Sequence, residues 1–212
     1  MGIKKSDVDY SLYLITDRNI LKGRDLFQAV EEAILGGVTL VQLREKEVSS
    51  LEFYNIALKM KQLTAKYGIP LIINDRLDIM LAVDADGLHI GQQDLPISVA
   101  RKLIGHDKIL GYSVSNVKEA KQGEAMSADY LGAGSVYPTG SKSDAGKPIG
   151  LDELKKIKES VKIPVVGIGG INETNILEVK QTGVDGISVI SAILGKKDVK
   201  SISRKLISLW KG

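Results

Sequence analysis

"DLFQAVEEAILGGVTLVQLR", residues 25–44, contains a helix, a stop and a strand in direct succession. Leu26, Val30, Ala33 and Ile34 recur at helical spacing and form one apolar face, and Asp25 suits the positive N-terminal end of such a helix. Gly36-Gly37 supplies the stop. "VTLVQLR" (38–44) then reads as a strand, apolar and β-branched, with charge only at its end.

The same rhythm extends in both directions. Apolar runs recur at "SLYLIT" (11–16), "IPLIIN" (69–74), "ADGLHIG" (85–91), "KILGYSV" (108–114), "ADYLGAGSVY" (128–137), "IPVVGIGG" (163–170) and "VDGISVIS" (184–191). Helical periodicity fills the intervals, as in "LEFYNIALKMKQLTAKYG" (51–68), "LDELKKIKESV" (151–161) and "ETNILEVKQTG" (173–183). Strands alternating with helices imply parallel pairing, because a parallel connection needs a crossover element. Near-continuous apolarity is what strands covered on both faces show. Eight such units without a linker predict a single (β/α)₈ TIM barrel domain over 1–212. The alternative, an open doubly wound sheet, should carry a glycine-rich fingerprint after its first strand. "YLITDRN" has none.

Composition narrows the function classes. The 212 residues are 43% apolar and 26% charged, with a net charge of +3, so neither disorder nor a nucleic-acid partner is indicated. There is no cysteine, hence no disulfide framework and no thiolate chemistry. No apolar stretch approaches the roughly 18 residues of a membrane span, and the N-terminus lacks the apolar length of a signal peptide. A cytoplasmic protein is expected.

A barrel's active site lies at the C-terminal ends of its strands, so each end can be read for chemistry. In "QLREK", Gln42, Arg44 and Lys46 alternate and would point one way in extended chain. A guanidinium beside an ammonium suits an oxygen-rich anion such as a diphosphate. Asn74 and Asp75 follow the third strand and Asp94 the fourth. The two carboxylates near a basic pair suit Mg²⁺ shared with phosphate oxygens, although Asp94 could instead cap a helix starting near Pro96. His89, inside an apolar run, reads as a buried, satisfied histidine. "GIGGI" (167–171) and "SVIS" (188–191) fit a backbone phosphate site after strands seven and eight. Between the two anion sites lies "VYPTGSKSDAGKP" (136–148), whose Thr139, Ser141 and Lys142 could close over both.

Together "YLITD", "QLREK", "INDRLD", "ADGLHIGQQD", "LGAGSVYPTGSK" and "VVGIGGI…GVDGISVISAI" closely resemble the thiamine phosphate synthase family, in order and from residue 13 to 193. The resemblance implies a transferase of thiamine biosynthesis. It would join hydroxymethylpyrimidine diphosphate to hydroxyethyl-methylthiazole phosphate and release diphosphate with Mg²⁺. It places Gln42, Arg44, Lys46 and Asn74 at the pyrimidine diphosphate, the metal on Asp75 and Asp94, and Ser113 near the pyrimidine ring. Thr139, Ser141 and Lys142 fall on the family's loop, and Gly170, Ile190 and Ser191 on the thiazole phosphate site. Arg44, Lys46, Lys142 and Ser113 are the expected catalytic set.

One departure is Ser115, where many relatives carry histidine two residues after the strand-five serine. No catalytic role is assigned to it. The related thiazole tautomerases keep that histidine and lose much of the diphosphate set, the reverse of what stands here. A non-catalytic regulatory barrel would not need Asp75, Asp94 and Lys142 together. Isomerase or aldolase barrels would need a general base or Schiff-base lysine, for which there is no better candidate than residues already assigned. Oligomeric state is left open, a homo-oligomer included.

Overall fold

The computed structural model describes residues 4–140 and 147–212. Eight parallel strands close into a barrel in sequence order: β1 (Leu12–Ile15), β2 (Leu40–Leu43), β3 (Leu71–Asn74), β4 (Gly87–Ile90), β5 (Ile109–Val114), β6 (Tyr130–Gly134), β7 (Val165–Ile168) and β8 (Gly186–Val189). The helices around it are α1 (Arg18–Leu21), α2 (Leu26–Leu35), α3 (Ser50–Lys66), α4 (Leu77–Ala82), α5 (Ile97–Ile104), α6 (Val117–Ala125), α7 (Gly150–Ser160), α8 (Ile176–Gln181), α9 (Ser191–Leu194) and α10 (Val199–Lys211). Every strand expected from the sequence forms, and β8 pairs with β1 to close the sheet.

Helix starts follow their caps. Asp25 accepts the Gln28 N–H at 2.8 Å, Ser49 the Glu52 N–H at 3.2 Å and Asn116 the Glu119 N–H at 3.0 Å. α8 begins later than its periodicity suggests. Asn172 accepts from the Thr174 N–H at 2.9 Å, and this side-chain turn displaces the first helical turn.

Strand alternation divides the core in two. Leu12, Leu14, Val41, Leu43, Leu71 and Ile73 pack outward against the helices, while Tyr10, Tyr13, Leu40, Ile72, Ile109, Tyr130 and Val166 fill the barrel. Above this apolar layer, towards the strand C-termini, the buried side chains turn polar: Gln42, His89 and Ser188. Barrel interiors are usually filled there by bulky branched residues.

At the opposite, N-terminal rim one clasp recurs around the barrel. Asp86 accepts the N–H of Leu71 at 2.8 Å, Asp129 that of Leu110 at 2.8 Å and Asp185 that of Val165 at 2.7 Å. Thr39 does the same through its hydroxyl for Leu12, at 3.1 Å. In each case the clasping residue's own N–H returns to the carbonyl of the residue it holds. Each carboxylate also takes a cation from the helix that leads into the strand it holds: Lys61 of α3, Arg101 of α5 and Lys158 of α7 respectively.

Candidate active site

The strand C-termini open on a cavity of about 1110 Å³. On one side it is lined by Arg44, Lys46, Asn74, Asp75, Asp94 and Ser113, and on the other by Gly169, Gly170, Ser188, Ile190 and Ser191. Thr139 and Gly140 lie at its edge, while Ser141 and Lys142 fall outside the described residues.

β2 ends at Leu43, so the alternation expected to align Gln42, Arg44 and Lys46 stops with the first of them. Gln42 is fully buried inside the barrel, beneath the cavity, and does not line it. Arg44 and Lys46 reach the mouth from the following loop. The Arg44 guanidinium lies 3.6 Å from the Asp17 carboxylate, and the Lys46 ammonium 2.5 Å from Asp75. Both cations therefore have acidic counterions within the protein.

Asp75 sits in the left-handed region at φ 59°, a conformation aspartate tolerates better than most residues. Its N–H donates to the His89 carbonyl on β4 at 2.8 Å, and its carboxylate accepts from Asn74 Nδ2 at 2.7 Å. The tight turn after β3 thus turns the Asp75 carboxylate into the mouth. Asp94 does not cap α5; Pro96 occupies that position with no side-chain bond. Instead its carboxylate accepts the Gly91 N–H at 2.7 Å, within its own loop. Burial raises the Asp94 carboxyl above its ordinary value and the neighbouring Asp75 carboxylate raises it further, while the Gly91 N–H and Lys46 work the other way. Asp75 and Asp94 thus face the same part of the mouth, close enough for each carboxylate to act on the other.

Ser113 ends this side of the mouth. Its Oγ lies 2.9 Å from His89 Nε2, and its carbonyl accepts from Gln92 at 2.8 Å. His89 is buried with both ring nitrogens engaged, as its apolar setting suggested. Ser115 turns away: its N–H and hydroxyl both go to Glu119 at the start of α6, at 2.7 and 3.0 Å.

Across the cavity, Gly169 and Gly170 both take positive φ, 97° and 69°. A Cβ at 170 would stand 2.7 Å from Tyr137 Cβ and 2.8 Å from the Pro138 carbonyl, so only glycine fits. Asn172 and Asn175 both donate to the Gly170 carbonyl, at 3.3 and 3.0 Å, holding the turn. Ser188, the first residue of the SVIS stretch, also lines this wall, its Oγ buried without a partner among the described residues. The Glu173–Lys196 ion pair at 3.0 Å on the rim had no signal in the sequence.

The closed barrel and its charged mouth place the chain among the (β/α)₈-barrel enzymes. The family model of thiamine monophosphate synthase matches residues 12–193, and the chain belongs to that family. It is 59% identical to the thiamine-phosphate synthase of Desulfitobacterium hafniense, over 96% of this chain and 99% of that protein. Against that of Alkaliphilus oremlandii it is 58% identical, covering 94% and 95%. Among solved structures, the thiamine phosphate pyrophosphorylase from Pyrococcus furiosus superposes with a TM-score of 0.88 at 46% identity, covering 96% of each chain.

Proposed function

We propose that this chain is a thiamine-phosphate synthase that joins hydroxymethylpyrimidine diphosphate to hydroxyethyl-methylthiazole phosphate and releases diphosphate. The observation that supports this most directly is that one cavity presents two unlike anion-handling walls. The β2–β4 wall carries Arg44, Lys46, Asp75 and Asp94; the β7–β8 wall offers glycine backbone and serine hydroxyls, with its charges confined to the Glu173–Lys196 pair at the rim. A diphosphate and a monophosphate ester are the two ligands such walls would sort.

The β2–β4 wall also suits a divalent ion. Two neighbouring carboxylates, one of them raised by burial and by the other, gain from a cation shared between them. The donors are hard oxygens with no thiolate, which favours magnesium over zinc. Among the described residues no group of three or more His, Cys, Asp or Glu could form a full protein cage. That matches the preference of magnesium for one or two carboxylates completed by phosphate oxygens. When bound at Asp75 and Asp94, the ion would neutralise charge on the departing diphosphate.

The protein's own groups would do the rest by position and charge. Arg44 and Lys46 would exchange Asp17 and Asp75 for the diphosphate oxygens, and Lys142 belongs to the same set of cations. The bond between the exocyclic CH₂ and the diphosphate oxygen breaks, its electron pair leaving with the diphosphate. The electron-rich pyrimidine stabilises the resulting cation, with Ser113 beside the ring. The thiazole, held through its phosphate at Gly170, Ile190, Ser191, Thr139 and Ser141, supplies the nitrogen lone pair that forms the new C–N bond. No side-chain nucleophile is required. A cytoplasmic location belongs to the same reading, and among the described residues no helix is long and apolar enough to cross a membrane.

The test is direct: incubate the protein with both phosphorylated substrates, with and without Mg²⁺, and follow thiamine phosphate. Metal-dependent formation of that product is expected. Its absence under every metal condition would end this reading.

A further inference from the structure

A chain of buried hydrogen bonds crosses the barrel beneath the mouth. Gln42 Nε2 donates to the Tyr13 hydroxyl at 2.6 Å, and Tyr13 and Tyr130 hydroxyls lie 2.8 Å apart. Tyr130 lies 2.8 Å from His89 Nδ1, and His89 Nε2 lies 2.9 Å from Ser113 Oγ. Four of these five side chains are buried, and only Ser113 reaches the cavity.

Counting protons gives the chain a direction. Burial pushes both phenols well above their ordinary values, so each keeps its single proton. The Gln42 amide sets that direction: Nε2 faces Tyr13 while Oε1 is buried without a partner among the described residues, and an NH₂ cannot accept, so in this orientation Tyr13 donates to the Tyr130 oxygen. The opposite polarity requires that amide turned over, with Oε1 accepting from the Tyr13 hydroxyl and the imidazole proton on Nδ1, so the two arrangements differ in the tautomer of His89. Tyr130 must then donate onward to His89 Nδ1, which leaves the imidazole proton on Nε2 and aims it at Ser113. With its oxygen already receiving that bond, Ser113 turns its own proton outward.

Glycines reserve the space. A Cβ at Gly111 would stand 2.2 Å from Tyr130 Cζ and 2.4 Å from His89 Nδ1, and one at Gly132 would lie 3.2 Å from His89 Cε1. The strands that flank the chain are thus cut back where its two central rings meet.

We infer that this relay fixes His89 as the Nε2–H tautomer and presents Ser113 to the mouth as a hydroxyl donor, with Tyr13, Tyr130 and His89 as positioning residues. Resting on the function proposed above, the group that Ser113 meets is an acceptor nitrogen of the pyrimidine ring. Such a bond holds the ring in register but does not strengthen as the ring loses electron density, so its loss falls on KM.

The tautomer can be read with the relay intact. The chain has 2 histidines, and His106 is exposed in a loop, so His106→Gln leaves one imidazole to assign. Long-range ¹H–¹⁵N correlation of ¹⁵N-histidine-labelled protein should show a protonated Nε2 and a pyridine-type Nδ1. The opposite tautomer, or rapid averaging between the two, overturns the proposal. Tyr130→Phe should then raise KM for the pyrimidine diphosphate about 2- to 13-fold, one neutral hydrogen bond's worth. KM for the thiazole phosphate should not move. A wild-type KM, or a loss confined to kcat, would also overturn the positioning role. Should Tyr130→Phe fail to fold, the tautomer of the intact relay still decides. A protein that makes no thiamine phosphate would sink the function while leaving the tautomer result standing.

Discussion

Arg101→Met should destabilise the barrel without touching its chemistry. Arg101 is a charged residue that is only 6% exposed, on α5 at the N-terminal rim. Its guanidinium donates to the Ser127 carbonyl at 3.1 and 2.9 Å, to the Gly105 and Lys108 carbonyls at 2.8 Å each, and to Asp129 at 2.5 Å. Methionine fills similar volume but removes every donor. Breaking a buried pair from one side costs about 3–5 kcal/mol. Asp129 retains Lys5 at 2.8 Å and the Leu110 N–H, so the lower end applies, roughly 3 kcal/mol. In a chain of this size that corresponds to a thermal midpoint lowered by about 6–12 °C. The comparison is Lys61→Met, which removes the matching cation from Asp86 where the lysine is better hydrated; about 1 kcal/mol or less is expected there. Urea unfolding of the two variants gives the difference, and synthase turnover at 25 °C should match wild type in both. If Arg101→Met costs no more than Lys61→Met, or lowers turnover while the protein stays folded, the assignment of this rim to stability is wrong.

Other outcomes follow from the mouth. Asp94→Asn removes a carboxylate crowded by Asp75, so the thermal midpoint should hold or rise slightly. Catalysis should fall about 10- to 150-fold, the effect of removing one charge-assisted interaction, and rate against Mg²⁺ concentration should shift to higher metal. Lys142→Ala should slow single-turnover cleavage by a similar factor, about 10- to 150-fold, with an unchanged midpoint, if its interaction with the diphosphate tightens only in the transition state. Gly170→Ala meets Tyr137 and the Pro138 carbonyl at positive φ, so it should lose about 1–3 kcal/mol of stability and raise KM for the thiazole phosphate, with KM for the pyrimidine diphosphate unmoved.

The barrel was legible because a strand covered on both faces has no choice but apolar residues, and eight such runs stand out between amphipathic helices. Most strand-end motifs were legible for a related reason: polar groups at the end of an apolar run have a mouth to face. Depth was not legible. Gln42 shares its parity with Arg44 and Lys46, yet parity distinguishes barrel interior from exterior and not floor from mouth. The floor itself is assembled from Tyr13 and Tyr130, 117 positions apart, and nothing local in either run announces the other. Glu173 and Lys196 escaped notice because each sits in a stretch that reads fully as helix or as loop. Asp94 had two readings in the sequence, and only the position of Pro96 at the helix cap separated them.

The clasp repeated around the rim divides the barrel into quarters. Each unit is one odd strand, one crossover and the approach to the next strand, closed on itself across 27, 15, 19 and 20 positions in turn. Loop-closure entropy rises only slowly with length, and short closures are the ones a chain makes first. A parallel barrel has to find eight lateral pairings, the last joining its two ends, and long-range parallel pairing is intrinsically slow. Four self-closing pieces turn that search into the docking of preformed units, edge to edge. The seams between quarters would then be the last places to form and the first to breathe.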